Sequence, residues 1–170
     1  MEEQVVLVTP QDEVLGQMGK MQAHHEGVLH RAFSVFLFNK KGEMLLQKRA
    51  DSKYHSPGEW TNACCSHPRW GETYKEAAER RLQEELGIST NITPKFHFLY
   101  KADVGGNLIE HELDHVFVGE YEGEFNLNPE EVSEIRYLTM EDLISELDRN
   151  PEKFTPWFKI ILKEYQDHLE

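Results

Sequence analysis

A thiol pair, a histidine and a helix ending in adjacent carboxylates fall within one stretch, Asn62 to Ile88, reading NACCSHPRWGETYKEAAERRLQEELGI. These are the groups that a metal-assisted reaction on a phosphorylated substrate needs. Other segments add to the set. KMQAHHEGVLHR gathers Lys20, His24, His25 and His30 without helical or alternating pattern, and so reads as a loop rich in ligand types. Any one of these histidines alone would pass for a solvated surface residue; three together weaken that reading. Lys48 and Arg49 close the run EMLLQKRA, and Lys53 follows. Charge alone makes this a solvated strand end, and the functional alternative is a set of cations facing a phosphate. Period-two geometry from Leu108 to Val118 places Glu110, Glu112 and Asp114 on one face, with Ile109, Leu113 and Phe117 on the other. Three acids in a row repel one another unless they face water or a cation. On the helix, Arg81 and Glu85 are four residues apart and point at one place, either as a surface ion pair or as part of a site.

The elements that must position these groups are readable in outline. Gln4 to Val8 is a β-branched strand stopped by Thr9-Pro10, and Val14 to Met18 is a weaker one. Phe33 to Phe38 and EMLLQKRA, joined by NKKG, form a buried antiparallel hairpin. Glu59 to Cys64 is a short strand feeding SHPRWGE. Thr73 to Leu86 is a helix with Ala78, Leu82 and Leu86 as its core stripe and Gly87 as a left-handed cap. Lys95 to Ala102, carrying Tyr100, and Leu108 to Val118 are strands around a turn at 103–107, and Glu134 to Leu138 is a last strand. Met140 to Leu147 and Trp157 to His168 have helical spacing. Trp157, directly after Pro156, is a packed aromatic or the lid of a pocket. Pattern alone gives an α+β class.

Composition narrows the function. The 170 residues carry a formal charge of -13 and contain no basic block, which argues against a nucleic-acid surface. An anionic substrate would therefore need metals and a few local cations. The chain reads as a single domain over 1–170, with no repeat or linker. Cys64 and Cys65 are sequence neighbours, poorly placed for an unstrained disulfide, so both read as reduced thiols in a reducing, cytoplasmic setting. The acidic N-terminus lacks a long apolar run and reads as neither signal peptide nor membrane span.

With these residues assembled, the chain resembles the type 1 isopentenyl-diphosphate isomerases, a branch of the Nudix superfamily. The motifs are WTNACCSHP, GE followed by RRLQEELGI, LYKA around Tyr100, EHE at Glu110 to Glu112, and TPW at Trp157. The resemblance implies a Nudix α/β sandwich with a mixed sheet and C-terminal helices. Arg81 stands where the Nudix hydrolases have a metal-binding glutamate, as in the isomerase branch, although Glu84 and Glu85 remain.

By that resemblance, a protein-bound divalent metal (manganese, zinc or magnesium) is held by His24, His30, His67, Glu110 and Glu112, with His25 the alternative to His24. A second ion, magnesium, bridges Glu85 and the diphosphate of a small prenyl substrate, and Lys20, Arg49, Lys53 and Arg81 supply the remaining positive charge. The implied reaction converts isopentenyl to dimethylallyl diphosphate through a tertiary carbocation. Cys65 stands on one side of the alkene and Glu112, hydrogen-bonded to Tyr100, on the other. Glu112 with Tyr100 as donor and Cys65 as acceptor is the first assignment, and the reverse stays open. Trp157, ahead of Trp60, would face the cation. The competing readings are a Nudix hydrolase cleaving a diphosphate linkage and a metal-dependent diphosphate-binding module without turnover.

Overall fold

The computed structural model describes residues 3–53 and 56–169; Met1 and Glu2, at the acidic start of the chain, lie outside them, as do Tyr54, His55 and Glu170. The opening hairpin forms as expected, β1 (Gln4–Val8) pairing antiparallel with β2 (Val14–Gly19). The histidine-rich segment is not a loop. Lys20–Glu26 is a short helix, α1, ended by Gly27 at φ 68°. Its buried side consists of Ala23 and His24, so an imidazole fills the place an apolar residue would take, and this hid the helical period.

Next come β3 (His30–Phe38) and β4 (Met44–Arg49), expected as a buried hairpin. They are buried, yet they pair only at Phe38 and Met44. The rest of that edge of β3 is occupied by β1 at His30 and by a later strand over Phe33 to Val35, so β4 has no edge left to join. The expected strand at 59–64 is likewise divided: β5 (Trp60–Thr61) pairs with β4, and β6 (Cys64–Ser66) with β3. Asn62 holds the jog between them, donating from Nδ2 to the carbonyls of Val35 at 2.8 Å and Cys64 at 3.0 Å. That crossing delivers Cys65 beside Ser34 of β3.

The helix α2 (Tyr74–Leu86) begins at a capping box, the Thr73 hydroxyl accepting from the Glu76 amide and the Glu76 carboxylate from that of Thr73. Ala77, Ala78, Leu82 and Leu86 pack against Phe33, Val35 and Leu37 of β3. Two long strands follow, β7 (Ile92–Asp103) and β8 (Ile109–Glu120), antiparallel to each other, with β8 parallel to β3. The mixed sheet is thus present. Then β9 (Val132–Leu138) pairs with β4, and α3 (Met140–Arg149) and α4 (Pro156–Tyr165) cover Phe36, Met44 and Leu46 from the side opposite α2. With helices on both sides, β3 runs apolar without alternation from Val35 to Phe38, whereas a one-sided strand would alternate. Among the described residues no helix is long and apolar enough to cross a membrane.

Gly87 ends α2 at φ 67°, and a Cβ there would meet Asn126 Cβ at 2.6 Å and its carbonyl oxygen at 2.7 Å. Gly87→Ala is expected to cost about 1–3 kcal/mol from backbone strain, with the clash in addition. A denaturant midpoint unchanged from wild type would contradict this.

Candidate active site

Register alone assembles the centre of the site. In the β7–β8–β3 sheet, Tyr100 stands opposite Glu112, and Glu112 opposite His30, in one row. His24 comes in from α1, and His67 from the chain just after β6. His30 Nε2 lies 3.2 Å and His67 Nε2 2.8 Å from Glu112 Oε2, while His24 Nε2 lies 3.6 Å from Glu110 Oε2. The Tyr100 hydroxyl donates to Glu112 Oε1 at 2.5 Å and stands 3.1 Å from Glu110 Oε1.

These groups fit a divalent ion. Ligand atoms of His24, His30, His67 and Glu112 lie within 4.8 Å of one another, all buried. Neighbouring ligands around an octahedral ion with bonds of about 2.1 Å are about 3 Å apart, close to the His30 and His67 separations from Glu112. Tautomers agree as well. His24 Nδ1 bonds the Lys20 carbonyl at 2.7 Å and His30 Nδ1 that of Val28 at 2.8 Å, so each Nδ1 carries the proton and each Nε2 lone pair faces the cluster. His25 is exposed, which leaves His24 as the histidine of α1 that belongs here. Burial pushes His67 down to about 4 despite the Glu112 carboxylate. Burial would raise the Glu112 carboxyl, but the His30 and His67 imidazoles beside it more than offset this and hold it well below the usual range.

The second wall belongs to Cys65. Its thiol donates to Asn62 Oδ1 at 3.0 Å, with Ser34 Oγ at 3.7 Å as the weaker acceptor, and its sulfur accepts from Trp157 Nε1 at 3.0 Å. Asn62 is itself fixed: Thr61 Oγ1 donates to its Oδ1 at 2.8 Å, and Thr155 Oγ1 to Thr61 at 3.0 Å. Burial, with the Asp114 carboxyl nearby, pushes the Cys65 thiol up to about 12. Trp157 is only 3% exposed, so it is a fixed wall against the sulfur and not a swinging lid. The Arg49 guanidinium sits 5.3 Å from its ring centre. Trp60 packs elsewhere, under Arg136.

One cavity joins the two walls, lined by Cys65, His67, Glu110, Glu112 and Trp157 and by Lys20, Arg49, Lys53 and Arg81. All four cations expected from the sequence are therefore present. Glu85 is outside the lining, 4% exposed, with its carboxylate taken by Arg81 Nη2 at 2.9 Å and Gln47 Nε2 at 3.0 Å. The solvated-edge reading of the three acids of β8 fails, since Glu110, Glu112 and Asp114 are 3%, 4% and 1% exposed.

Sequence reasoning missed Ser34, Asn62, Glu3 and Glu131 as neighbours of the site. A lone polar residue in an apolar strand was a usable signal for Ser34. Asn62, three residues before Cys65, is a local neighbour in the same segment, and Glu3 and Glu131 are brought in only by tertiary packing.

Comparison with known proteins agrees with this geometry. A NUDIX domain profile matches residues 28–158. An isopentenyl-diphosphate Delta-isomerase of Serratia proteamaculans is 49% identical over 164 residues, covering 96% of this chain and 92% of the relative. Isopentenyl-diphosphate Delta-isomerase 2 of Photorhabdus laumondii is 46% identical over 169 residues, covering 98% and 96%. Among solved structures, a Deinococcus radiodurans protein superposes with a TM-score of 0.78 at 23% identity, over 96% of this chain and 99% of the other. The MutT protein from Methanosarcina mazei gives 0.67 at 18% identity, over 82% and 94%, a likeness of fold alone. The chain belongs to the NUDIX family and, within it, to the isopentenyl-diphosphate Delta-isomerases.

Proposed function

We propose that the protein moves the double bond of isopentenyl diphosphate to give dimethylallyl diphosphate, with Cys65 and Glu112 as the proton-handling groups. The observation that supports this most directly is the presence, in one cavity, of a half-buried thiol and a buried carboxylate, each held by hydrogen bonds, together with four cations. Adding a proton at the terminal alkene carbon and removing one from the adjacent methylene calls for two groups across the plane of the alkene. Glu112, with the Tyr100 hydroxyl bonded to it, delivers the first proton once it has taken up the proton that rests on the Cys65 thiol, and the Cys65 thiolate so formed takes the second. The reverse order uses the same atoms.

Lys20, Arg49, Lys53 and Arg81 bind the diphosphate, each charge-assisted contact contributing about 1.5–3 kcal/mol. A few such contacts offset the unfavourable field of an acidic protein. His24, His30, His67, Glu110 and Glu112 would hold a divalent metal (manganese, zinc or magnesium), and Glu85 would serve a second ion, magnesium, that comes with the diphosphate. When bound, these ions supply Lewis acidity, strengthening the acid at Glu112 and neutralising the phosphates. A reducing, cytoplasmic setting suits a mechanism that depends on a free thiol, and both cysteines are free.

The cationic intermediate must avoid water, and the Trp157 ring beside the sulfur can stabilise it by about 2 kcal/mol. Trp157→Phe should therefore keep part of the turnover, and Trp157→Ala should lose at least about 30-fold. Wild-type rates in both would refute this role.

A hydrolase reading is disfavoured by the helix itself. Arg81, which donates to Glu84 Oε1 at 2.9 Å and to Glu85 Oε2 at 2.9 Å, puts a cation where metal-activated hydrolysis would have a further metal-binding carboxylate. The function is tested by incubating purified protein with isopentenyl diphosphate, before and after chelation. Dimethylallyl diphosphate should form, stop forming after chelation, and form again on adding back metal. Undiminished turnover in a protein shown to be metal-free would overturn the metal's part in the proposal.

A further inference from the structure

Besides the acids of β8, two carboxylates, Glu3 and Glu131, line the same cavity as the cations assigned to the diphosphate. Glu131 Oε2 accepts a hydrogen bond from Lys53 Nζ and lies 3.3 Å from Arg81 Nη2. Glu3 Oε2 lies 3.3 Å from Lys20 Nζ. The Glu131 backbone is anchored beside the cavity: its main-chain carbonyl accepts from the Ala50 amide at 3.0 Å, one residue beyond Arg49. Burial would push its carboxyl up, and Lys53 and Arg81 more than offset this, so Glu131 is ionised. A single carboxylate oxygen spanning an ammonium and a guanidinium occupies the kind of place a phosphate oxygen would take.

We propose that Glu131 is an internal counter-anion that the incoming diphosphate must displace from Lys53 and Arg81, and that this competition sets the preference for diphosphate over monophosphate ligands. The inference rests on the reading of these cations as the diphosphate cradle. A diphosphate brings enough anionic oxygens to satisfy both Lys53 and Arg81 once Glu131 is displaced. A monophosphate satisfies them less completely and gains less over the carboxylate already there. Discrimination then comes from the difference between the two displacements, since the cations attract either ligand. Glu3 on Lys20 is a second, looser instance of the same arrangement.

The test is titration calorimetry of inorganic pyrophosphate and inorganic phosphate, with magnesium present, on wild type, Glu131→Gln, Glu131→Asp, Glu130→Gln and Lys53→Met. Glu131→Gln should tighten pyrophosphate about fivefold and phosphate by a larger factor, so that the ratio of the two dissociation constants shrinks. KM for isopentenyl diphosphate should fall without a rise in kcat. Glu131→Asp, with the carboxylate drawn back, should lie between. Glu130→Gln, an exposed neighbour with the same charge change, should stay within about twofold of wild type because exposed charges are screened. Unchanged or weaker pyrophosphate binding in Glu131→Gln would overturn the inference, as would equal tightening in Glu130→Gln. Pyrophosphate binding indifferent to Lys53→Met would instead overturn the underlying reading of the cradle.

Discussion

Glu112→Gln is expected to lower turnover by roughly 10⁴-fold or more while leaving the fold intact. One carboxylate serves two purposes here, and the amide can serve neither. It stands 2.8 Å from His67 and 3.2 Å from His30, so the change removes an anionic ligand from the metal cluster. Losses around a metal site commonly cost about 10–100-fold in affinity or activity. It also accepts from Tyr100 and is the group proposed to carry the proton, and general acid–base catalysis is worth about 10²–10⁴-fold. Metal content and turnover at saturating metal separate the two effects. A variant within tenfold of wild type would contradict the assignment.

Cys65→Ser carries the second large effect, a loss of about 10²–10⁴-fold in turnover with pyrophosphate affinity unchanged. A serine hydroxyl fits between Asn62 and Trp157, but it is a much weaker acid than a thiol and its oxyanion a poor resting state. The same variant separates the two orders of proton transfer. If Glu112 delivers the first proton, the variant incubated in deuterated water should still place deuterium slowly at the terminal methylene of recovered isopentenyl diphosphate. If Cys65 delivers it, no label enters. Retained turnover would remove the thiol from the chemistry altogether.

Much of the site was legible because its parts follow local rules. Helical spacing brought Arg81 and Glu85 together, and strand alternation placed Glu110, Glu112 and Asp114 on one face; the structure bears out both. What was not legible depended on long-range pairing. Tyr100, Glu112 and His30 form a row only because β8 lies parallel to β3, and a parallel register across 82 residues leaves no local signature. The jog at Asn62 that splits one expected strand into two is fixed by bonds to Val35, a residue 27 positions away. Glu131 enters the site by packing against Lys53, 78 residues earlier in the chain. The short helix carrying His24 was hidden for a different reason, since its buried face is filled by a ligand where an apolar side chain would have shown the period.

The most direct measurement follows the fate of solvent protons. Wild-type protein with isopentenyl diphosphate and magnesium in deuterated water is monitored by proton and phosphorus NMR. The account predicts dimethylallyl diphosphate carrying deuterium in a methyl group, with both phosphorus resonances of the diphosphate preserved. Release of phosphate or monophosphate, or product free of solvent deuterium from the first turnover onward, would contradict it.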